Sequence, residues 1–391
     1  VATSRRSRLP ALDPAAPTWQ DVSMRRTSAE YDVSRTHFGL ALRKGREVRG
    51  WTWSEFAANT GIHHRTLRRL SKGATPTAEQ LSACALALDV ALRGGWPQGR
   101  MIELSGVFSA GKTSLIFATA REFQRLSEEH IVIFIDAENA LDRNWLEKSG
   151  VNMDRFLITN LRSGEDIGQA IKEILFNADK PLLLIVDSLA HVIPMKEIED
   201  DQEDSHPGIQ ARLINKMLRV ITPALRRSLT DPNLPMSTVM FLNQIREKVA
   251  SYGRDNETTP GGRGKEFATS VHVKLKNGGF IYGTGESKIG KKAIFEVKKS
   301  KTGPPAETGE FDLYFKPGSK TREARIDNVE ALIRYGVLYE VITKKGGGSF
   351  TFNSFSSPTS MQKIRGEDNL KEFLRSHPTE FRALSLEVIR K

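Results

Sequence analysis

The chain has 391 residues, 39% of them hydrophobic, a formal net charge of +11 and a pI near 9.6. That length suits two or three domains of about 100–200 residues each, and the basic balance points to a polyanionic partner such as nucleic acid. The single Cys84 excludes an intramolecular disulfide and fits a reducing compartment, and no apolar run approaches the roughly 18 residues of a membrane span, so the expectation is a cytoplasmic protein with no membrane partner.

Residues 1–35, with Pro10, Pro14, Pro17 and scattered arginines, read as a flexible basic arm; they lack the apolar middle of a signal peptide. Residues 36–80 read as a small helical domain punctuated by Gly50, Gly61 and Gly73. Within it, Phe56 and Ala57, the turn glycine Gly61, then Ile62, Leu67 and Leu70 give the apolar pattern of a helix-turn-helix. Its second helix would turn Arg65, Arg68 and Arg69 outward. A DNA-contacting module and a merely structural helical cap both stay open.

A helix is expected over 81–92 and a turn over 94–99. Ile102 and Leu104 then alternate as a strand, Gly106 to Thr113 form a glycine-bearing loop, and apolar residues recur at helical spacing from Ser114 to Leu126. Further strands are predicted over 131–135, 182–186 and 238–242. Between them come a helix capped by Ser163 and a long helix over 208–229. This alternation implies a parallel α/β sheet. Later strands are expected over 271–275, 293–297 and 311–315, a Gly/Ser/Phe-rich loop over 346–358, and helices over 368–391.

Gly106, Gly111, Lys112 and Thr113 fill every fixed position of the phosphate-binding loop G-x-x-x-x-G-K-[ST]. A strand, such a loop and a helix N-terminus aim backbone N–H groups and the positive dipole end at phosphate. Lys112 would reach the terminal phosphates and Thr113 would ligate magnesium. Asp187, ending the apolar run Leu183 to Val186, supplies the second acidic group a magnesium ion needs. Asp136 and Glu138 end the preceding strand; Glu138 is the candidate to orient an attacking water, unless both acids merely cap the next turn. The chain has no Asn-Lys-x-Asp guanine reader, which favours ATP.

With the run 134–142, Val186-Asp187-Ser188, Glu197-Ile198-Glu199, Phe241 to Arg246, Glu257-Thr258-Thr259 with Gly261-Gly262, and Lys299-Ser300-Lys301, all in one order, the sequence from about residue 82 onward resembles the bacterial RecA recombinases. The segment ahead of it resembles the repressor-like helix-turn-helix family. The RecA resemblance implies a P-loop NTPase core over 81–325, mostly a parallel sheet flanked by helices, with a small α+β C-terminal domain over 326–391; the helix-turn-helix reading adds a small all-α N-terminal domain over 36–80, where RecA has only a short link. It implies that Glu138 is the catalytic glutamate and Gln244 the sensor relaying ATP state to a DNA-binding loop. Lys299 and Lys301 would reach ATP held by a neighbouring protomer. The nucleotide-binding set becomes Gly106, Val107, Phe108, Ser109, Ala110, Gly111, Lys112, Thr113 and Ser114, with Asp142, Trp145 and Asp187; Trp145 stands where the family stacks a tyrosine on adenine. The DNA loops would be 197–204 and 247–262, with Arg212, Arg219, Arg246, Lys248, Tyr252, Arg254, Gly261 and Gly262 as contacts. Val107-Phe108 replaces the family's Pro-Glu.

The expected protein is therefore an ATP- and magnesium-dependent DNA recombinase that forms helical filaments with itself on single-stranded DNA and pairs it with duplex DNA. Its rivals are a helix-turn-helix DNA-binding regulator with an ATPase switch, a RecA-fold motor or repair accessory protein, and a non-catalytic filament protein.

Overall fold

A computed structural model describes residues 80–81, 85–161, 163–199, 208–231, 234–247, 257–262, 264–316, 325–354 and 361–391. The arm, the helix-turn-helix segment with Arg65, Arg68 and Arg69, residues 200–204 of the first loop, and Lys248, Tyr252 and Arg254 of the second lie outside the described residues. Residues from Ala78 onward form one compact unit.

Its centre is a sheet built on β3 (Met101–Gly106), every residue of which is buried. In chain order the sheet adds β4 (Ile131–Asp136), β5 (Phe156–Thr159), β6 (Leu182–Asp187), β7 (Thr238–Gln244), β10 (Val271–Tyr282), β11 (Lys288–Ser300), β12 (Thr308–Tyr314) and β13 (Arg325–Asp327). The spatial order is β13-β12-β11-β10-β3-β7-β6-β4-β5. From β10 to β5 every pairing is parallel, and from β10 to β13 every pairing is antiparallel.

Alternating side chains serve two cores, as the period of a strand requires. Leu104, Phe134, Ile185 and Leu242 pack toward α2 (Lys112–Leu126) and its Leu115, Ile116 and Phe117. Ile135, Leu184, Val186 and Phe241 pack toward α4 (Gly164–Asn177) and α6 (Ile209–Thr230) through Ile167, Ile171, Leu218 and Ile221. Sheet strands buried on both faces explain the continuous apolar runs at 182–186 and 238–242. Ser163 caps α4 as expected, its Oγ accepting from Asp166 N at 3.1 Å. A third core joins α1 (Leu86–Ala91) to the C-terminal helices α8 (Val329–Leu338), α9 (Glu367–Ser376) and α10 (Pro378–Arg390) through Leu86, Leu332, Phe350, Leu370 and Leu384.

The structure corrects several expectations. The helix over 81–92 is shorter: Gln80–Leu81 is a strand, β1, paired with Pro97 and Trp96 of β2 (Trp96–Pro97), inside the expected turn. β5 carries no sequence forecast; it is an edge strand with only Phe156 buried, so its four residues show little alternation. The expected strand at 271–275 runs on to Tyr282 because β11 pairs with it through bulges, while its distal half exposes both faces and loses the apolar pattern. The loop over 346–358 holds a strand, β15 (Ser349–Asn353), between β14 (Thr343–Lys345) and β16 (Met361–Arg365). There the glycines make the turn, Gly347 and Gly348 at φ of 73° and 69°, and Phe350 and Phe352 enter the third core.

Candidate nucleotide site and DNA-facing elements

The loop after β3 is shaped by close approaches. A Cβ on Gly106 would lie 2.8 Å from the Leu275 carbonyl oxygen, and one on Gly111 would lie 2.3 Å from Leu313 Cδ1. Gly111 also has φ +94° and Ser109 φ +57°, left-handed values that glycine tolerates best. Gly111 N-caps α2 without a side-chain bond, which leaves the first-turn N–H groups for a ligand. Ala110 is buried, Val107 packs on the core, and Ser114 is half-buried. Phe108 is 87% exposed.

Lys112 Nζ donates to the carbonyls of Gly106 and Val107, both at 3.0 Å. Burial pushes its pKa down, while Asp187 and Glu138 oppose that. Thr113 Oγ1 stands 3.5 Å from Asp187 Oδ2. Burial first and Glu138 next push the Asp187 carboxyl up to about 7, with Asp136 adding to the effect and Lys112 opposing it. A half-buried carboxylate crowded by others beside a hydroxyl is a set of hard oxygen donors that suits magnesium, whose remaining positions water and phosphate would fill. Among the described residues no three His, Cys, Asp or Glu side chains form a metal cage.

The two carboxylates after β4 have different surroundings. Asp136 holds the following turn, accepting from Ala140 N at 3.3 Å and Leu141 N at 3.1 Å. Glu138 Oε2 instead accepts from Gln244 Nε2 at 3.3 Å and lies 3.6 Å from His191 Nδ1. Glu138 therefore faces the space above the strand ends, where β3 and β7 pair Gly106 with Gln244 and β4 and β6 pair Asp136 with Asp187. Ligands of open α/β sheets bind at such carboxyl ends. Asp142, an expected nucleotide contact, is exposed and caps α3 (Arg143–Ser149) through Oδ1 alone, accepting from Asn144 N at 2.9 Å and Trp145 N at 3.2 Å. Trp145, half-buried in the first turn of α3, packs on the core.

Lys299 and Lys301 are not brought to this loop. Lys299, on β11, pairs with His272 of β10, which is level with Glu103, and Lys301 N donates to the Ser270 carbonyl, whose own N–H donates to Met101 O. At about 3.3 Å per residue these levels lie roughly 10 and 16 Å below Gly106. Both ammonium groups rest on carbonyls of α7 (Gly264–Ala268) or just beyond: Lys299 on Glu266 and on Thr269 at 2.7 Å, Lys301 on Phe267 at 3.4 Å.

Among the DNA candidates, Arg212 and Arg219 are exposed on α6, seven residues and so about 10 Å apart along its axis. The turn at Gly261 and Gly262 has φ of 104° and 64°, and a Cβ on Gly262 would meet Ala211, the neighbour of Arg212, at 3.6 Å. Two expected loops have regular pieces: Glu197–Glu199 end a short helix, α5 (Met195–Glu199), and Arg246–Glu247 (β8) pairs antiparallel with Glu257–Thr258 (β9). The second loop is therefore a hairpin on a two-residue ladder, continuing the strand that carries Gln244.

Sequence reasoning missed three groups. His191 flanks Glu138 and shares a hydrogen bond with Ser188 Oγ at 3.0 Å. Lys291 donates to the Ser109 carbonyl of the phosphate loop. Glu103, fully buried in β3, accepts from Lys265 Nζ at 2.7 and 3.0 Å and from Asn243 Nδ2 at 2.8 Å, and Asn243 Oδ1 accepts from Gln244 N at 3.0 Å. No sequence pattern marks any of them, since each depends on which strands lie side by side.

The RecA N-terminal domain family matches residues 60–320. The RecA protein of Streptococcus pyogenes serotype M1 is 35% identical over 326 residues, 82% of this chain and 79% of that protein. RecA of Streptococcus uberis is 36% identical over 319 residues, 80% of this chain and 77% of that protein. A crystal structure of the RadB recombinase aligns with 60% of this chain and 96% of its own at 16% identity and a TM-score of 0.44, and the assignment does not rest on it. With the family matched over most of its length and relatives above 30% identity, this chain belongs to the RecA family.

Proposed function

We propose how this RecA-type recombinase and DNA-dependent ATPase uses the side chains described above. ATP lies along the loop from Gly106 to Ser114, with the first-turn N–H groups of α2 on its phosphates and Lys112 released from the Gly106 and Val107 carbonyls onto the terminal ones. Thr113 and Asp187 would hold magnesium, which supplies charge neutralisation across the phosphate oxygens. Glu138 accepts a proton from, and so orients, the water that attacks the γ-phosphorus. Trp145 offers a flat apolar face for adenine.

The observation that carries this reading is the 3.3 Å hydrogen bond from Gln244 Nε2 to Glu138 Oε2. It ties the hydrolytic carboxylate to the end of β7, and β7 runs straight into the β8–β9 hairpin. A γ-phosphate and its water compete for both side chains, so the hairpin's base registers whether ATP is present. Arg212, Arg219, Arg246, Lys248, Tyr252, Arg254 and the Gly261-Gly262 turn then contact the DNA backbone and bases. Lys299 and Lys301 complete a neighbour's site in a filament on single-stranded DNA, stabilising charge at the transferring phosphoryl group.

DNA-stimulated ATPase of purified Lys112→Ala and Glu138→Gln tests the site. Glu138→Gln is expected to lose about 10²–10⁴-fold in turnover while still binding ATP, and Lys112→Ala to lose both. Wild-type hydrolysis in the two variants would reject the assignment.

A further inference from the structure

Lys291 and Lys292 are adjacent on β11 and so point to opposite faces of the sheet. Lys292 is an ordinary paired surface lysine, 3.4 Å from Glu310 Oε1 and 3.4 Å from Asp312 Oδ1. Lys291 is different. Its stem crosses the phosphate loop, with Cε 3.8 Å from where a Cβ on Gly111 would stand, and its ammonium donates to the Ser109 carbonyl in the loop's middle. Among the described residues no carboxylate forms an ion pair with it, and the charge it feels most is another cation, Lys112.

We propose that Lys291 is a second lysine for the nucleotide's phosphates, supplied by the same chain from the β11 side of the loop, opposite the Asp187 side. The inference rests on the ATP site proposed above. Two ammonium groups converge on one short loop, each provisionally bonded to main-chain carbonyls that any phosphate oxygen would outcompete. Burial and Lys112 both hold the Lys291 pKa below its ordinary value, so the ligand that relieves the cost is an anion. The loop's geometry favours this occupant. Glycine at 111 leaves room for the lysine stem beside Leu313, and the Ser109 carbonyl ahead of the α2 N-cap accepts from the ammonium. Lys291 pairs with Phe280 and Leu313 across its neighbours, so the rigid antiparallel half of the sheet fixes the stem's origin.

The test is equilibrium binding of fluorescent ATP and ADP analogues with magnesium, without DNA, to the full chain and to Lys291→Gln, Lys291→Arg and Lys112→Ala. Lys291→Gln should bind both nucleotides about tenfold more weakly, with the loss shrinking at high salt, and Lys291→Arg should stay within about threefold of wild type. The ligand-free melting temperature of Lys291→Gln should equal or exceed the wild-type value, since a like charge beside Lys112 is removed. Wild-type affinity in Lys291→Gln while Lys112→Ala fails to bind overturns the inference and leaves the site standing. A lowered ligand-free melting temperature accompanying the weaker binding also overturns it, because Lys291 would then only brace the Ser109 carbonyl. Normal binding by Lys112→Ala would reject the ATP site itself, and the inference with it.

Discussion

Replacing Lys265 by Met deletes one ammonium and keeps the length of its stem. In the folded chain that ammonium sits 2.7 and 3.0 Å from the two Glu103 oxygens, and the side chains are 3% and 0% exposed. After the change Glu103 keeps the Asn243 amide at 2.8 Å and a histidine, His272, whose Nδ1 is 4.0 Å away, but no neutralising partner in contact. Breaking a buried pair by removing one member leaves an uncompensated charge and costs about 3–5 kcal/mol. At roughly 2 °C per kcal/mol for a unit of this size, the melting temperature should fall by about 6–10 °C. Scanning calorimetry measures it directly. The double variant Glu103→Leu/Lys265→Met removes both charges and should recover most of the loss. A single-variant cost below about 1 kcal/mol, or a double variant as unstable as the two single losses added, would refute the reasoning that a desolvated pair braces β3 against α7.

Gly111→Ala forces a side chain onto φ +94° and into Leu313 Cδ1 at 2.3 Å; a strain and overlap cost of about 2–5 kcal/mol is expected, read as lost nucleotide binding together with a lowered melting temperature. Burial, more than any neighbouring charge, holds His272 below its ordinary pKa; Lys265 and Lys298 act with it, Glu103 and Glu266 against it. Its folded form therefore resists protonation: stability is complete above the unfolded value near 6.5 and falls as pH drops below that. Melting curves from pH 7.5 to 5.5 should show a decline, at most about 1.4 kcal/mol per pH unit from this group, that His272→Gln flattens. For the lysine pair, Lys299→Ala/Lys301→Ala protein mixed equally with Lys112→Ala protein should regain up to about a quarter of wild-type DNA-stimulated ATPase, because one head-to-tail interface in four joins an intact loop to intact lysines. No recovery, measured against each variant alone, would place the lysines' role within their own subunit.

What the sequence made legible was local. The phosphate loop showed because its glycines and Lys112-Thr113 are fixed within eight positions, and Asp187 because it ends an apolar run. Ser163 announced its helix because capping needs only Asp166 three residues on. Glu138 was the candidate of the two acids after β4, with capping of the next turn open for both; folding shows that Asp136 takes the capping role, on the Ala140 and Leu141 N–H groups. Gln244 was reached through resemblance, since its contact with Glu138 spans 106 residues. Lys291, Glu103 and Lys265 stayed silent for the same reason: strand order decides that β10 and β11 follow β3, and nothing near those residues encodes it. Phe350 and Phe352 lie in a stretch whose glycines and serines read as loop, because a turn and the strand it starts share one short stretch.

The strand at the centre accounts for why one protomer is an incomplete enzyme on this reading. β3 carries the phosphate loop at its carboxyl end, while the neighbouring hairpin of β10 and β11 places Lys299 and Lys301 level with Glu103 and Met101 at the other. A lysine side chain spans only about half of the roughly 10–16 Å between those levels and Gly106. Loop and lysines stand too far apart to meet within one chain, and on the proposed reading head-to-tail stacking of identical subunits would bring the lysine end of one onto the loop end of the next, an arrangement that extends into a filament instead of closing. Glu103 sits between the two ends, joined to Lys265 below the Gly261 turn and through Asn243 to the backbone of Gln244. On this reading the buried pair would stiffen that middle, and a displacement of α7 by a stacked neighbour would be passed through Glu103 and Asn243 to Gln244 and Glu138. The same bond that positions the hydrolytic water would then report three things at once: ATP in the loop, DNA at the hairpin and a neighbour at α7.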